Sequence, residues 1–501
     1  MKVQMKFTVL AALLAFGVSA QAANTITFGG VGSSAMFNSF RSAALTLTGG
    51  TQATNAYQAS NAGQTVDGSN SDTGNLWVVW AGPVDDREIF YYLSVDSTVG
   101  VRSYFNSATL NVLTVAPASG FAALPADVRT SIQGTLFTAG MTDVTAADAK
   151  VGTSRLLSLG YSASNTIKGL NSAGTAFSGE TKVINFSLSA RPYQTTSIGA
   201  APVLVFVNNT LAGAGDIGET GPGGPLTTNI NRYTLAGFLD GTFTRTTDLT
   251  LQPNTGKPVT TFLREGLSGT YLTMEYCIPQ SVFTSQERNV SSTLNNPLNG
   301  TTPAYNPASP AAVLTKGGRV RGVGTNACVA GVNRTPNSLG YSFWSTGNFA
   351  IGVANNTKYI TVDGVEPLLD VYPGGNTFNY PSGSAVTFKN ISNGSYPIWG
   401  VLRMLTSTAP ADGSRLSEYV TSARAASNGG TFIPPANLYV FRSHRATKDA
   451  PNPSNGNNTL AEAGADAGGA VFNINSDKSF FADTGKELIN LRLGDTRNRG
   501  N

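Results

Sequence analysis

Short β-branched or aromatic runs alternate with segments of helical apolar spacing along most of this chain, and that alternation restricts its fold more than any other feature. Residues 25–28, 89–95, 136–137, 203–207, 260–263 and 339–343 read as strands. Residues 127–133, 145–157, 233–239 and 271–278 read as helices. Strands alternating with helices indicate an α/β fold, in which ligands gather where strand ends meet helix N-termini. With 501 residues the chain is too long for one simple core. Four polar stretches, 49–74, 208–225, 295–310 and 449–469, show neither period and read as loops or insertions. Trp77, Trp80, Trp344 and Trp399 read as core residues.

Charge narrows the function. Lys plus Arg total 33 against 29 Asp plus Glu, and only 12% of residues are charged, where an average soluble domain has roughly a quarter. Such a chain is not a nucleic-acid binder, and its formal net charge of +4 gives no strong steering toward a large anionic partner. Lys2 and Lys6, the apolar run 7–18 and Ala20-Gln21-Ala22 have the form of an export signal, so residues 1–22 are expected to be removed and the mature chain to start at Ala23. No later run approaches the roughly 20 apolar residues of a membrane span. No cysteine follows the signal to carry a lipid. The expected location is periplasmic or secreted.

Cys277 and Cys328 are the only two cysteines. In an oxidising compartment they form either one disulfide or two buried thiols, and sequence leaves both open. The single histidine, His444, lies between Arg442 and Arg445, whose charges disfavour the imidazolium that a catalytic base must form. One histidine and two separated cysteines are too few for a structural zinc site. The sequence shows no metal cluster and no nucleophile–base pair, so no enzyme and no cofactor is expected.

Four strand-to-helix turns share one chemistry. Gly30-Val31-Gly32-Ser33-Ser34, Asp96-Ser97-Thr98-Val99-Gly100, Thr142-Asp143-Val144-Thr145 and Arg264-Glu265-Gly266-Leu267-Ser268-Gly269-Thr270 each place hydroxyls and unpaired backbone N–H groups at a helix start. Taken singly, such residues are ordinary helix caps. Converging, they make an anion pocket with few cations. Arg264 adds a guanidinium. Asp143 repels a fully ionised anion but accepts a hydrogen bond from a protonated one, which favours hydrogen phosphate over sulfate.

In this order the turns resemble those of periplasmic phosphate-binding proteins of ABC transporters, within the type 2 periplasmic binding-protein superfamily. The resemblance rests on Gly30 to Ser34, Ser97 to Gly100, Thr142-Asp143, the Pro-containing segment 201–208, Arg264 with Ser268-Gly269-Thr270, Leu339-Gly340-Tyr341 and Tyr396-Pro397-Ile398. It implies a two-lobed α/β fold with loop insertions and a C-terminal extension. Residues 23–201 plus 343–501 would form one lobe and 202–342 the other. Inorganic phosphate, or a similar oxyanion, would bind between them at Ser33, Ser34, Ser97, Thr98, Asp143, Arg264, Ser268, Gly269 and Thr270. The partner would be an ABC-transporter membrane permease, and the protein a monomer. Two positions depart from the family pattern: Gly266 stands where an acid usually restrains the arginine, and Ala35 where an aromatic residue is common. A second reading keeps the fold but makes the chain a secreted or surface interaction protein, acting through its polar insertions.

Overall fold

The computed structural model describes residues 23–51, 55–66, 70–106, 113–114, 124–158, 169–175, 177, 183–211, 220–221, 224–225, 227–249, 256–282, 284–286, 317–349, 355–373, 379–426, 430, 432–434, 440–442 and 471–473. The export segment, the polar stretches 295–310 and 449–469, and His444 lie outside them. The chain is mixed α/β, and among the described residues thirteen strands form one mixed sheet.

Two parallel groups make up that sheet. In the first, β1 (Thr25–Gly32) runs parallel to both β4 (Glu88–Ser94) and β6 (Ala139–Thr142). In the second, β11 (Thr260–Arg264) runs parallel to β12 (Gly318–Gly322) and β13 (Ser338–Phe343). Their central strands are apolar on both faces, as strands covered by helices on either side must be. One long strand, β7 (Gln194–Asn208), belongs to both groups. Its first part pairs antiparallel with β15 (Trp399–Thr406), and its second part pairs with β13 and β14 (Thr357–Val362). Strand β15 then joins the first group by pairing with β6. The partner of β7 therefore changes beside Pro202, where Trp344 donates to the Pro202 carbonyl and Val203 donates to Ile398.

The helices that matter for the site follow strand ends: α1 (Phe37–Thr48), α2 (Ser97–Phe105), α4 (Ala146–Ser158) and α6 (Gly269–Cys277). Helix α3 (Ala126–Ile132) and α5 (Arg232–Asp240) match the expected segments, and α7 (Thr325–Arg334) follows β12. The C-terminal helices are α8 (Lys389–Ser392) and α9 (Arg415–Ala426). Helices α1 and α9 pack together over β1 and β4, and Phe28, Phe37, Phe40, Trp77, Tyr92 and Tyr419 form an aromatic cluster there. Burial of one such ring contributes roughly 1.5–3 kcal/mol, which fixes the sheet edge from which the first turn emerges. All four tryptophans are buried, as expected.

Two expectations need correction. Residues 136–137 form no strand, the strand here being β6, which starts at Ala139. Residues 49–74 are not simply loop, because β2 (Ala56–Val66) and β3 (Asn70–Ala81) pair as a long antiparallel hairpin against β4. Polar residues in these strands hide the period, and the ladder itself supplies the order that apolar alternation would otherwise signal. Of the two alternatives open for the cysteines, the structure has the second: Cys277 and Cys328 are both buried thiols. Cys328 lies on α7 with its sulfur directed to the carbonyls of Leu263 and Gly322, while Cys277 closes α6 in the core.

Candidate functional site

The first turn is set by close backbone packing. Gly32 has φ 134°, and a Cβ there would sit 2.0 Å from the Met141 carbonyl oxygen, so only glycine lets β1, β6 and α2 approach this closely. The chain then turns Ser33 inward. Its backbone N–H donates to Met141, its hydroxyl accepts from the Ala35 N–H at 3.2 Å, and the same hydroxyl donates to an Asp143 carboxylate oxygen. Ser34 is exposed. The two adjacent serines thus sit differently, and only Ser33 reaches the carboxylate.

Asp143 follows β6 and is only 3% exposed. It is not spent on capping α4, because Thr145 does that, accepting from the Asp148 N–H and donating to the Asp148 carboxylate at 2.7 Å. Its partners are the hydroxyls of Ser33 and Ser97 and, electrostatically, Arg264 and Arg403. Burial raises its pKa to about 6; the two hydroxyls and the two arginines pull the other way.

A second wall is built by β11 and α6. Ser268 caps α6, accepting from the Thr270 N–H at 3.2 Å. Arg264 is 4% exposed and its guanidinium is held on every side. It forms a two-pronged bond with Glu265, at 2.9 and 2.7 Å, and donates to Thr270 at 3.2 Å and Thr325 at 2.9 Å. The departure at Gly266 is resolved by its neighbour, since Glu265 holds the arginine. Burial opposes the charge on both partners, but each overrides it in the other: Glu265 lies below the usual carboxylate range and Arg264 above its own. Gly266 itself packs on Leu156.

The walls meet. The Thr98 N–H of α2 donates to the Leu267 carbonyl at 3.1 Å. A Cβ on Gly269 would stand 2.5 Å from the Ser97 hydroxyl and 2.7 Å from an Asp143 oxygen. The N-termini of α2 and α6 and the turn before α4 therefore face one buried carboxylate, with Ser33, Ser97, Thr98, Asp143, Arg264, Ser268, Gly269 and Thr270 brought together. The Thr98 hydroxyl is buried there without a hydrogen-bond partner. Such a constellation can grip a small oxyanion that has at least one proton to give.

Three further residues belong to this setting. Arg403, from β15, is 2% exposed and lies opposite Thr142 in the ladder. It is the one cation in the apolar run 399–406, and that isolation is the signal by which sequence could have found it. Asp96 and Glu265 sat inside recognised turns, but nothing in their spacing showed that they would face each other. Among the described residues no group of three His, Cys, Asp or Glu side chains could hold a metal, and no helix is long and apolar enough to cross a membrane.

No protein-family model matches the sequence, and no curated protein matches it. Solved structures do. The chain is similar in fold to phosphate-binding proteins of ABC transporters. A phosphate-binding protein from Stenotrophomonas maltophilia is 14% identical with a TM-score of 0.37, over 84% of this chain and 92% of that one. An ABC-type phosphate transport receptor from Vibrio cholerae is 15% identical with a TM-score of 0.30, over 50% of this chain and 77% of that one.

Proposed function

We propose that this protein is an exported receptor that captures inorganic phosphate, in a protonated form, between two α/β lobes and presents it to a membrane transporter. The observation that carries the reading is Asp143: a buried carboxylate bonded to Ser33, faced by the start of α6 and flanked by Arg264. The Thr98 hydroxyl donates from the first wall, where Ser33 and Ser97 hold the Asp143 carboxylate that accepts the anion's proton. Ser268, Gly269 and Thr270 donate from the second, and Arg264 supplies the charge that faces the anion. The sequence pattern of residues 1–22, read as an export signal, supports a location outside the cytoplasm for the mature chain.

Strand pairing favours a division at two crossings beside Pro202, one near residue 202 and the other near 398. Strand β14 stays with the second part of β7, and β15 returns to β6. The first lobe is then 23–201 with 399 onward, the second 202–398. On this reading the return falls later than the 343 implied by the resemblance.

Asp143 makes the ligand choice testable. Asp143→Asn is expected to weaken phosphate binding by about 1.5–3 kcal/mol, the worth of a hydrogen bond to a charged group, and to admit sulfate, since the new amide can donate. In the wild type, sulfate stays ionised while Asp143 takes up a proton as pH falls through about 6. Sulfate affinity should therefore rise on acidification through about pH 6 in the wild type, and Asp143→Asn should lack that step. Calorimetric titrations at pH 5 and pH 8 read both; sulfate affinity unchanged by pH in the wild type would remove Asp143 from the role.

A further inference from the structure

Asp96 occupies the N-cap of α2, yet its side chain makes no capping bond. Aspartate at that position ordinarily accepts a backbone N–H of the first turn. Here the carboxyl turns across the seam. One oxygen stands 3.7 Å from the Arg264 guanidinium, and the group is within hydrogen-bonding reach of Glu265. Glu265 is 1% exposed, is already bonded twice to Arg264, and accepts the Gly324 N–H at 3.1 Å. An additional carboxylate beside it would be a second negative charge against one guanidinium.

We propose that Asp96 and Glu265 form an acid–acid latch across the two walls, fastened by one proton shared between their carboxyl groups. Two carboxylates in contact cannot both ionise at low cost, so the pair retains a proton and the Asp96 side bonds to Glu265. When that proton leaves to solvent, two anions face each other beside a single arginine, and α2 is pushed off the β11–α6 turn. The charged groups around Asp96 are Arg264 and Glu265 from the second wall and Asp143 from the β6–α4 turn, with Arg403 behind Asp143. Burial, then the charge and hydrogen bond of Glu265, raise the Asp96 carboxyl well above its ordinary range; Arg264 opposes this only in part. The Thr98 N–H bond to Leu267 lies two residues along the same seam and reports whether it is closed. The latch regulates the site of the proposed function and rests on that reading for its consequence, which is looser anion binding once the shared proton is lost.

The test is hydrogen exchange of the first turn of α2 in the mature chain, without added anion, from pH 5 to 9.5. After correction for intrinsic exchange, wild-type protection at Thr98 should fall by about tenfold or more, the change that one titrating unit supplies. Asp96→Asn, which keeps a donor to Glu265 but cannot titrate, should hold its protection across the range. Asp96→Ala should be unprotected throughout while melting as a folded protein. Wild-type protection independent of pH, or Asp96→Asn losing it as the wild type does, would overturn the latch. Parallel titration with inorganic phosphate separates the two readings. The expected exchange pattern without phosphate binding would remove the proposed function and leave the latch. Phosphate binding with constant Thr98 protection would do the reverse.

Discussion

Replacing Arg264 by alanine is expected to abolish oxyanion binding and to lower stability by about 3–5 kcal/mol, the usual effect of breaking a buried ion pair from one side. The loss is large because of what remains. Glu265 would keep its burial and lose the guanidinium that holds it charged, while Asp96 stands close by. The pH dependence has a definite sign. In the wild type, Glu265 lies below its ordinary range, so its stabilising contribution is complete above the unfolded value and lost as pH falls through the folded one. In Arg264→Ala the same carboxyl is destabilised when ionised, so the deficit should be greatest at pH 8 and shrink toward pH 5 as it protonates. Arg264→Ala combined with Glu265→Gln should recover much of the stability without recovering binding. Denaturant unfolding at both pH values, with calorimetry of each variant, reads the two effects apart. Equal deficits at pH 5 and 8 would contradict the assignment of Glu265 as the group left behind.

The second large effect comes from Gly269. Its backbone needs no special conformation, and it opens α6 against the opposite wall, where an added Cβ would lie 2.8 Å from the Cβ of Asp143 as well as close to Ser97. Gly269→Val puts branched bulk against Ser97 and Asp143 across the seam. Overpacking a rigid core costs typically 1–3 kcal/mol, but here separating the walls relieves it. The expected outcome is a melting temperature within a few degrees of the wild type, with phosphate affinity reduced by about a hundredfold or more, since the gap no longer closes. Small-angle scattering should show no compaction on adding phosphate. Affinity retained in Gly269→Val would mean that the anion does not bind at this seam.

The parts of the fold legible in sequence are those where burial writes its own period. The runs 89–95, 260–263 and 339–343 are strands because their side chains are covered on both faces. The hairpin of β2 and β3 was not legible because its residues are largely polar, and strand pairing leaves no mark on composition. The state of the cysteines was not legible for a different reason: two of them announce a possible disulfide, but only the placement of α6 and α7 decides it. At the site, helix-start chemistry exposed the turns, as hydroxyls, glycines and Asp143 at strand ends. It did not distinguish Ser33 from Ser34, since the inward direction follows from the backbone at Gly32. It could not place Arg403, whose charge acts on Asp143 from a strand more than half the chain away. The restraint on Arg264 came from Glu265, next in sequence, where the family pattern pointed to Gly266.

The most direct measurement is calorimetric titration of the mature, anion-stripped protein with phosphate and then sulfate at pH 8. Asp143 is ionised there and the two anions differ in having a proton to give. Saturable phosphate binding with sulfate rejected is the expected result. No heat with phosphate from a folded sample, or equal affinity for both anions, would contradict capture of a protonated oxyanion at Asp143.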